Sequence, residues 1–213
     1  VPPPEYFQRL KKLADKYGIL LIDDEVQSGM GRTGKWFAIE HWGISPDILV
    51  LGKGMSGGYF PLSAMITKTE VVDRLRERTG GFVHGHTFSH HPVACAVGLS
   101  ALQLMEERKL VEQCVKRGEY LLKRLDELKT FPFVGDVRGK GLMTAIEFVK
   151  DQRTKEPFHR AEKFTERIVD LAFENGLVLY PGTGFVDGVN GDMVMAGPPF
   201  IIEEVEIDEI IDI

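Results

Sequence analysis

Apolar and polar positions divide the first part of the chain into short segments. Apolar residues recur at helical spacing between residues 4 and 16, which predicts a helix that ends at Gly18. Short apolar runs at residues 19–22, 47–51 and 63–67 predict strands, and the first run is typical of a strand covered on both faces. Glycines between residues 28 and 34 predict a loop. Alternating helices and buried strands favour an α/β fold with a mixed, mostly parallel sheet and helices on both faces.

The pattern changes near residue 130. Residues 91–108 and 110–128 predict two helices, and we expect the first to be mostly buried. Phe131-Pro132-Phe133 then breaks the helix, and alternation over residues 137–149 predicts strand structure. The remaining predicted elements are a helix over 161–175 that Gly176 ends, strands at 177–180 and 193–195, and a helix from residue 204. We therefore expect the later part of a large domain over residues 1–130, incomplete at its N-terminal end, and a smaller α+β domain over residues 131–213.

Composition narrows the class of protein. The chain has 213 residues, of which 43% are hydrophobic and 27% charged, and its net charge is −6. Without a basic run, we expect neither a nucleic acid nor a membrane as a partner. Cys95 and Cys114 form no spaced pattern, which is typical of thiols in a reducing cytoplasm. The chain opens at Val1 without a methionine and stops inside a predicted helix, so we expect it to be part of a longer protein.

Two polar residues follow neighbouring predicted strands. Asp24 ends the first strand, and Lys53 follows the second between two glycines. Ligands of open α/β sheets bind beyond the carboxyl ends of the strands. A deprotonated lysine amine condenses with an aldehyde, and a carboxylate can hold a protonated ring nitrogen, so the pair indicates a pyridoxal phosphate enzyme. A capping aspartate and a solvent-exposed lysine are the alternative, whereas residues 52–58 lack the glycine order of a nucleotide phosphate loop.

Histidines cluster just before the predicted helix that starts at Pro92. Imidazole is a common metal ligand, but no cysteine or carboxylate stands nearby in the sequence, and we predict no metal site. We favour a polar loop that offers hydroxyl and backbone N–H groups to an anion. Arg32 and Arg138, in glycine-flanked turns, either clamp a carboxylate or bond carbonyls, and we assign neither to a substrate. The cluster comprises His84, His86, His90 and His91, together with Thr87 and Ser89.

Several motifs together resemble one enzyme family. Residues 21–34 read LIDDEVQSGMGRTG, which closely resembles the signature of class III (omega-type) aminotransferases of pyridoxal phosphate fold type I. The chain resembles the C-terminal half of that family over nearly all its length. The motifs that follow in order are PDI at 46–48, GKG at 52–54, GHTFS at 85–89, HP at 91–92, VRGKGL at 137–142 and PP at 198–199.

The resemblance implies a role for five residues. Lys53 is similar to the lysine that bonds to pyridoxal 5'-phosphate and then moves a proton at the substrate, and Asp24 to the partner of the pyridinium nitrogen. Val26 is similar to the residue packed on the cofactor ring and Gln27 to the side chain near its hydroxyl. Thr87 resembles the threonine that reaches the cofactor phosphate of the neighbouring subunit, which implies a homodimer.

The resemblance implies a transaminase that moves an amino group from a primary amine or ω-amino acid to a keto acid such as pyruvate or 2-oxoglutarate. The alternatives are an amino-acid racemase or aminomutase on the same fold, and a non-catalytic fragment that needs its N-terminal half. The family's phosphate loop and ring-stacking aromatic lie upstream of Val1. Met195 stands where many relatives that use α-amino acids carry an arginine, and His90 stands where relatives often have glycine.

Overall fold

The computed structural model describes residues 1–213, which form two compact units, residues 2–111 and residues 112–213. The α-helices are α1 (Tyr6–Tyr17), α2 (Thr69–Thr79), α3 (Pro92–Glu107), α4 (Leu110–Asp126), α5 (Phe164–Glu174) and α6 (Glu204–Asp212). The strands are β1 (Ile22–Asp24), β2 (Ile48–Leu51), β3 (Ala64–Thr67), β4 (Val134–Lys140), β5 (Met143–Phe148), β6 (Tyr180–Thr183) and β7 (Asp192–Ala196). None of the helices combines the length and the apolar composition needed to cross a bilayer.

The first unit contains a three-stranded mixed sheet in the order β1-β2-β3. β1 and β2 run parallel, with Asp24 opposite Val50, whereas β3 is antiparallel to β2. The predicted α/β architecture with a mixed sheet is therefore confirmed. Because β1 and β2 are parallel, their carboxyl ends lie at the same edge of the sheet.

Two predictions of burial in this unit were wrong. The strand expected at residues 19–22 begins only at Ile22, and the side chains of Ile19 and Ile22 are 60% and 61% exposed. Leu21 instead bonds to the turn before β2, since its N–H donates to Asp47 Oδ2 and its carbonyl accepts from Ile48 N–H. An apolar run predicts that its side chains pack against other parts of the protein, but other residues of this chain do not cover Ile19 and Ile22.

Helix α3 was expected to be mostly buried, yet its buried residues are only Ala94, Gly98 and Met105. The small residues mark its packed side: a Cβ placed on Gly98 would lie 2.6 Å from the Leu62 side chain. The opposite side is apolar but exposed, as at Leu99. Helix α2, which the sequence analysis did not predict, has no buried residue at all, and its apolar residues are only Val71, Val72 and Leu75.

The second unit is built on an antiparallel sheet in the order β4-β5-β7-β6. The alternation over residues 137–149 therefore corresponds to a hairpin, and Gly141, with a φ of +53°, lies in its turn. The strand expected at 177–180 begins only at Tyr180, because Leu177 N–H bonds back to the Ala172 carbonyl at the end of α5. Helices α4 and α6 cover the sheet, and the fully buried core side chains include Leu121, Leu125, Leu142, Val194 and Ile207.

Helix α4 packs closely on the β4–β5 turn. A Cβ on Gly118 would lie 2.3 Å from the Gly141 carbonyl carbon, so only glycine allows this approach. One turn earlier, Cys114 Sγ accepts a hydrogen bond from Leu142 N–H at 3.4 Å. From residue 112 onward the helix thus packs with the second unit, while the division of the protein into domains at residues 130 and 131 stays a prediction.

Candidate active site

The ends of β1 and β2 bring Asp24 and Lys53 to one edge of the sheet. Asp24 is the last residue of β1 and is paired with Val50, and the next residue still donates its N–H to the Val50 carbonyl at 2.9 Å. β2 ends one residue later at Leu51, and the chain then passes through Gly52 to Lys53. A carboxylate and an amine therefore stand at adjacent parallel strand ends, where α/β proteins bind ligands.

Lys53 lies at the start of a 3₁₀ turn, Lys53–Ser56, with its side chain exposed. Its φ is +43°, in the left-handed region that costs a non-glycine residue about 1–3 kcal/mol and that occurs often at functional sites. The turn holds this conformation through its own bonds: Met55 N–H donates to the Gly52 carbonyl at 3.0 Å, and the Ser56 hydroxyl donates to the Phe60 carbonyl at 2.5 Å.

The glycines beside Lys53 let this turn pack against the segment after β1. A Cβ on Gly52 would lie 3.5 Å and 3.7 Å from the two methyl groups of Val26. A Cβ on Gly54 would lie 3.2 Å from Met30 Cβ, which is tighter than ordinary contact. The Lys53 turn and the segment 26–30 consequently form one packed layer behind the edge where Asp24 ends.

The Asp24 carboxylate is exposed and accepts a hydrogen bond from Val26 N–H at 3.0 Å through Oδ1. This bond orients the carboxylate through Oδ1, and the Asp24 side chain remains accessible to a ligand. Val26 is partly buried against Gly52, and Gln27 is exposed beside it. The structure thus brings four of the five predicted site residues to the same edge: Asp24, Val26, Gln27 and Lys53.

Glu25 is a residue of this site that the sequence analysis missed. Its side chain is only 1% exposed. Its Oε1 accepts from Ile39 N–H at 2.8 Å and its Oε2 accepts from the Ser28 hydroxyl at 2.7 Å. It therefore anchors the glycine-rich loop to the end of β1. The sequence does show a glutamate directly after an apolar strand and a serine three residues later. This pattern could have predicted the bond to Ser28 but not the bond to Ile39.

Asp23 lies on the same side of β1 as Glu25, since side chains alternate along a strand. It is partly buried, and its Oδ2 is buried without a hydrogen-bond donor. Burial, followed by the charge of Glu25, a hydrogen bond to Glu25 and the charge of Asp24, raises the pKa of Asp23 to about 7. Asp23 and Asp24 therefore stand in different environments although they are neighbours in the sequence.

Thr87 is exposed in the loop before α3, and no hydrogen bond joins it to Asp24 or Lys53. Ser89 organises this loop: its hydroxyl accepts from His86 N–H at 3.0 Å, and its N–H donates to the His86 carbonyl at 2.9 Å. The ring of His91 stacks on Phe60, with centroids 5.3 Å apart. No three His, Cys, Asp or Glu side chains of the chain are grouped in an arrangement suited to a metal ion.

Arg138 lies on β4 and bonds within its own sheet. Its Nη1 donates to Asp136 Oδ2 at 3.0 Å and to Glu147 Oε2 at 2.5 Å. Burial acts to lower its pKa, but these two hydrogen bonds outweigh burial and raise it. These bonds indicate a structural arginine of the β4–β5 hairpin. Met195, partly buried on β7, pairs with Ala145 and presents no charge.

Comparison with known proteins identifies the family. A sequence model described as aminotransferase class-III matches residues 1–213, the whole chain. The chain belongs to the class-III aminotransferase family. Among curated relatives, it is 40% identical over 213 residues to the uncharacterized aminotransferase YodT of Bacillus subtilis and 42% identical over 213 residues to the leucine/methionine racemase of Thermococcus litoralis. These alignments cover 100% of this chain but 48% and 45% of those proteins, so the chain spans about half the length of these relatives.

Solved structures agree with this class-III assignment. A transaminase from the marine bacterium Virgibacillus superposes with a TM-score of 0.94 at 34% identity, over 100% of this chain and 47% of that one. An amine transaminase from an uncultivated Pseudomonas species, solved with pyridoxal phosphate bound, superposes with a TM-score of 0.89 at 36% identity, over 100% of this chain and 47% of that one. The class-III fold, of pyridoxal phosphate fold type I, is therefore shown for this chain.

Pyridoxal phosphate is the cofactor of class-III aminotransferases, and the residues at this edge fit it. The cofactor's aldehyde needs an amine and its ring nitrogen needs an acceptor. The Lys53 amine and the Asp24 carboxylate, at adjacent strand ends, are groups of these two kinds, and both residues are exposed. The Val26 methyls, packed on Gly52 at the same edge, supply an apolar surface suited to one face of a ring.

Proposed function

We propose that the full-length protein is a pyridoxal phosphate-dependent transaminase that moves an amino group from a primary amine or ω-amino acid to a keto acid such as pyruvate or 2-oxoglutarate. The observation that carries this proposal is the pair formed by Asp24 and Lys53 at the carboxyl ends of two parallel strands. Neither group has a structural partner strong enough to explain its place: the Asp24 bond is to its own segment, and Lys53 occupies a costly left-handed conformation.

The two residues have complementary tasks in this proposal. When bound, the cofactor supplies an electron sink that stabilises negative charge at the substrate α-carbon. The Asp24 carboxylate holds the proton on the ring nitrogen, which keeps that sink effective. The Lys53 amine would hold the cofactor covalently between turnovers and, once displaced by substrate, would take the proton from the α-carbon and deliver it to the cofactor carbon that carried the aldehyde. Val26 packs on the ring, and Gln27 contacts its hydroxyl.

We further propose a cytoplasmic homodimer in which Thr87 binds the cofactor phosphate of the partner subunit. Two features support the assignment of Thr87, and a third supports the compartment. The Thr87 hydroxyl is exposed and bonds to neither Asp24 nor Lys53 of its own chain. The surrounding loop is shaped by Ser89 rather than by Thr87, which leaves the Thr87 hydroxyl available. No disulfide joins Cys95 to Cys114, in keeping with a reducing compartment.

Met195 bears on the choice of substrate. Relatives that act on α-amino acids often carry an arginine at this position, whereas here the side chain is neutral and partly buried on β7. A methionine offers no charge-assisted bond to a carboxylate. We therefore place amines and ω-amino acids, whose carboxylate is absent or distant from the reacting carbon, ahead of α-amino acids as donors.

A racemase is the second candidate function, because a relative that is 42% identical over 213 residues is named leucine/methionine racemase. Racemization returns the proton to either face of the α-carbon and needs no keto acid, whereas transamination consumes one. The two reactions therefore share their first proton transfer, and they differ in whether a keto acid is required.

One pair of assays separates them in the full-length protein loaded with cofactor. In the first, a panel of primary amines and ω-amino acids is offered with pyruvate, and alanine is measured. In the second, single enantiomers of leucine and methionine are offered without a keto acid, and the other enantiomer is measured. Alanine formation supports the proposal, and enantiomer formation alone contradicts it. Lys53→Ala is the control, since it must lose whichever activity is found.

A further inference from the structure

Asp23 and Glu25 form a carboxyl pair on the side of β1 opposite Asp24. Alternation along the strand places residues 23 and 25 on one face and residue 24 on the other. Glu25 is 1% exposed, and Asp23 Oδ2 is buried without an N–H or O–H donor. Two residues apart on one face of the chain, the two carboxyls are neighbours, and the charge of Glu25 acts on Asp23. The mechanism proposed above uses neither of them.

Two carboxyls can form a hydrogen bond only if one of them carries a proton. Two ionised groups at this separation repel each other, and burial weakens the solvation that would offset the repulsion. The charges that act on Asp23 are those of Glu25 and Asp24, which are both negative, and the paired residue on β2 is the apolar Leu49. The loop that Glu25 anchors contributes the Ile39 N–H and the Ser28 hydroxyl, and both are directed to Glu25.

The hydrogen-bond partners decide which carboxyl holds the proton. Glu25 accepts from two donors, and hydrogen bonds to a carboxylate stabilise its charged form. Asp23 Oδ2 has no donor, so its charged form has no comparable stabilisation. The proton therefore resides on Asp23, which donates it to Glu25, and Glu25 remains the acceptor that holds the loop.

We propose that Asp23 is a proton-holding positioning residue, which as a neutral acid donates to Glu25 and so keeps the loop of residues 28–39 fixed behind Asp24. Ionisation of Asp23 places a second negative charge against buried Glu25 and loosens its bonds to Ile39 and Ser28. Val26 and Gln27 lie between the strand end and this loop, so the ring-binding face loosens with it. The effect on the cofactor rests on the proposed function, whereas the shared proton does not.

The proton itself is tested by infrared spectroscopy on the full-length protein without cofactor. We expect a protonated carboxyl band at pH 5–6 that disappears as the pH passes about 7. Asp23→Asn removes the band, because its amide donates to Glu25 in place of the acid. Absence of a band that depends on Asp23 overturns the proposal, whether or not the protein proves to be a transaminase.

The pH dependence of stability gives a second readout. The pKa of Asp23 is raised by folding, so the folded state binds the extra proton and stability falls as pH rises from about 4 to about 7. The unfolding equilibrium constant of the parent should rise by up to about tenfold per pH unit relative to Asp23→Asn in this window. Parallel pH profiles for the two proteins contradict the proposal.

Cofactor binding shows whether the proton matters to the site. The parent's dissociation constant for pyridoxal phosphate should increase between pH 6.5 and pH 8.5, whereas that of Asp23→Asn should change much less. Asp23→Ala, which removes the donor without imitating it, should bind weakly across the whole range. A purely structural role for Asp23 would lower affinity without changing its pH profile. Identical profiles in parent and Asp23→Asn would show that Asp23 does not position the site.

Discussion

The buried carboxylate of Glu25 accepts the backbone N–H of Ile39 at 2.8 Å, across 14 residues of sequence. This bond closes the glycine-rich loop onto the end of β1. Gly29 completes the closure because its N–H donates to the Glu25 carbonyl at 3.0 Å, and a Cβ there would lie 2.7 Å from that carbonyl oxygen. The chain segment that carries Val26 and Gln27 is therefore held at both ends.

Glu25→Ala should destabilise the folded protein by about 3 kcal/mol or more. It leaves the buried Ile39 N–H and the partly buried Ser28 hydroxyl without their acceptor, and it removes a fully buried side chain; one unsatisfied buried group alone costs about 1–3 kcal/mol. Urea denaturation of the full-length protein measures the loss. Glu25→Gln is the matched control, since its amide oxygen still accepts from Ile39, and it should lose clearly less. Equal stability of Glu25→Ala and the parent would show that the loop is held by other contacts.

Local pattern predicted the order and type of most elements in this fold. The helix at residues 4–16 and the strong amphipathic stretch at 110–128 appear as α1 and α4 because their apolar spacing and end signals agree. Burial was predicted less well. An apolar run such as residues 19–22 indicates that its side chains pack against other residues, but it does not show which residues these are. The Glu25–Ile39 bond could not be predicted from the sequence, because it depends on the path of the loop between these two residues.

The candidate site was predictable where its chemistry coincides with strand ends. Asp24 and Lys53 each follow a short apolar run, and the parallel pairing of β1 and β2 places them at one edge as expected. The contact of Val26 with Gly52 was not predictable from spacing, because it depends on the φ and ψ angles of the Lys53 turn. Thr87 came from the family resemblance, and its role remains a prediction.

Asp24→Asn should lower transaminase activity about 100-fold or more, whereas Asp23→Asn should retain most of it at neutral pH. A charge-assisted bond to a ring nitrogen is worth about 3 kcal/mol, which corresponds to about two powers of ten in rate. The Asp23 side chain lies on the other face of β1, where an amide imitates its protonated form. Steady-state rates of the two variants, measured with saturating cofactor, make the comparison. Equal losses would remove the reason for assigning Asp24 to the ring nitrogen.

Thr87 can be tested by mixing subunits. In a homodimer that shares Thr87 across its interface, Lys53→Ala and Thr87→Ala each impair both sites. A mixed dimer of the two variants contains one site with the native Lys53 of one subunit and the native Thr87 of the other. Differently tagged subunits, refolded together and purified through both tags, should regain up to about half of the parental activity per dimer at limiting cofactor.

The comparison mixes Lys53→Ala with Asp24→Ala, which lie in the same subunit's site in our proposal. That mixed dimer leaves one site without Lys53 and the other without Asp24, and it should regain nothing. Recovery in both mixtures, or in neither, would contradict the placement of Thr87 across the interface.

The position of the covalently bound cofactor tests the central proposal most directly. Full-length protein is incubated with pyridoxal phosphate, reduced with borohydride, digested and mapped by mass spectrometry. We predict one stoichiometric label, on Lys53, and its loss in Lys53→Ala. Lys68 is the internal comparison, because it lies in the same unit but is ion-paired to Asp47 at 2.7 Å. A label on Lys68 or any other lysine, with Lys53 unmodified, would contradict the assignment of this edge of the sheet as the active site.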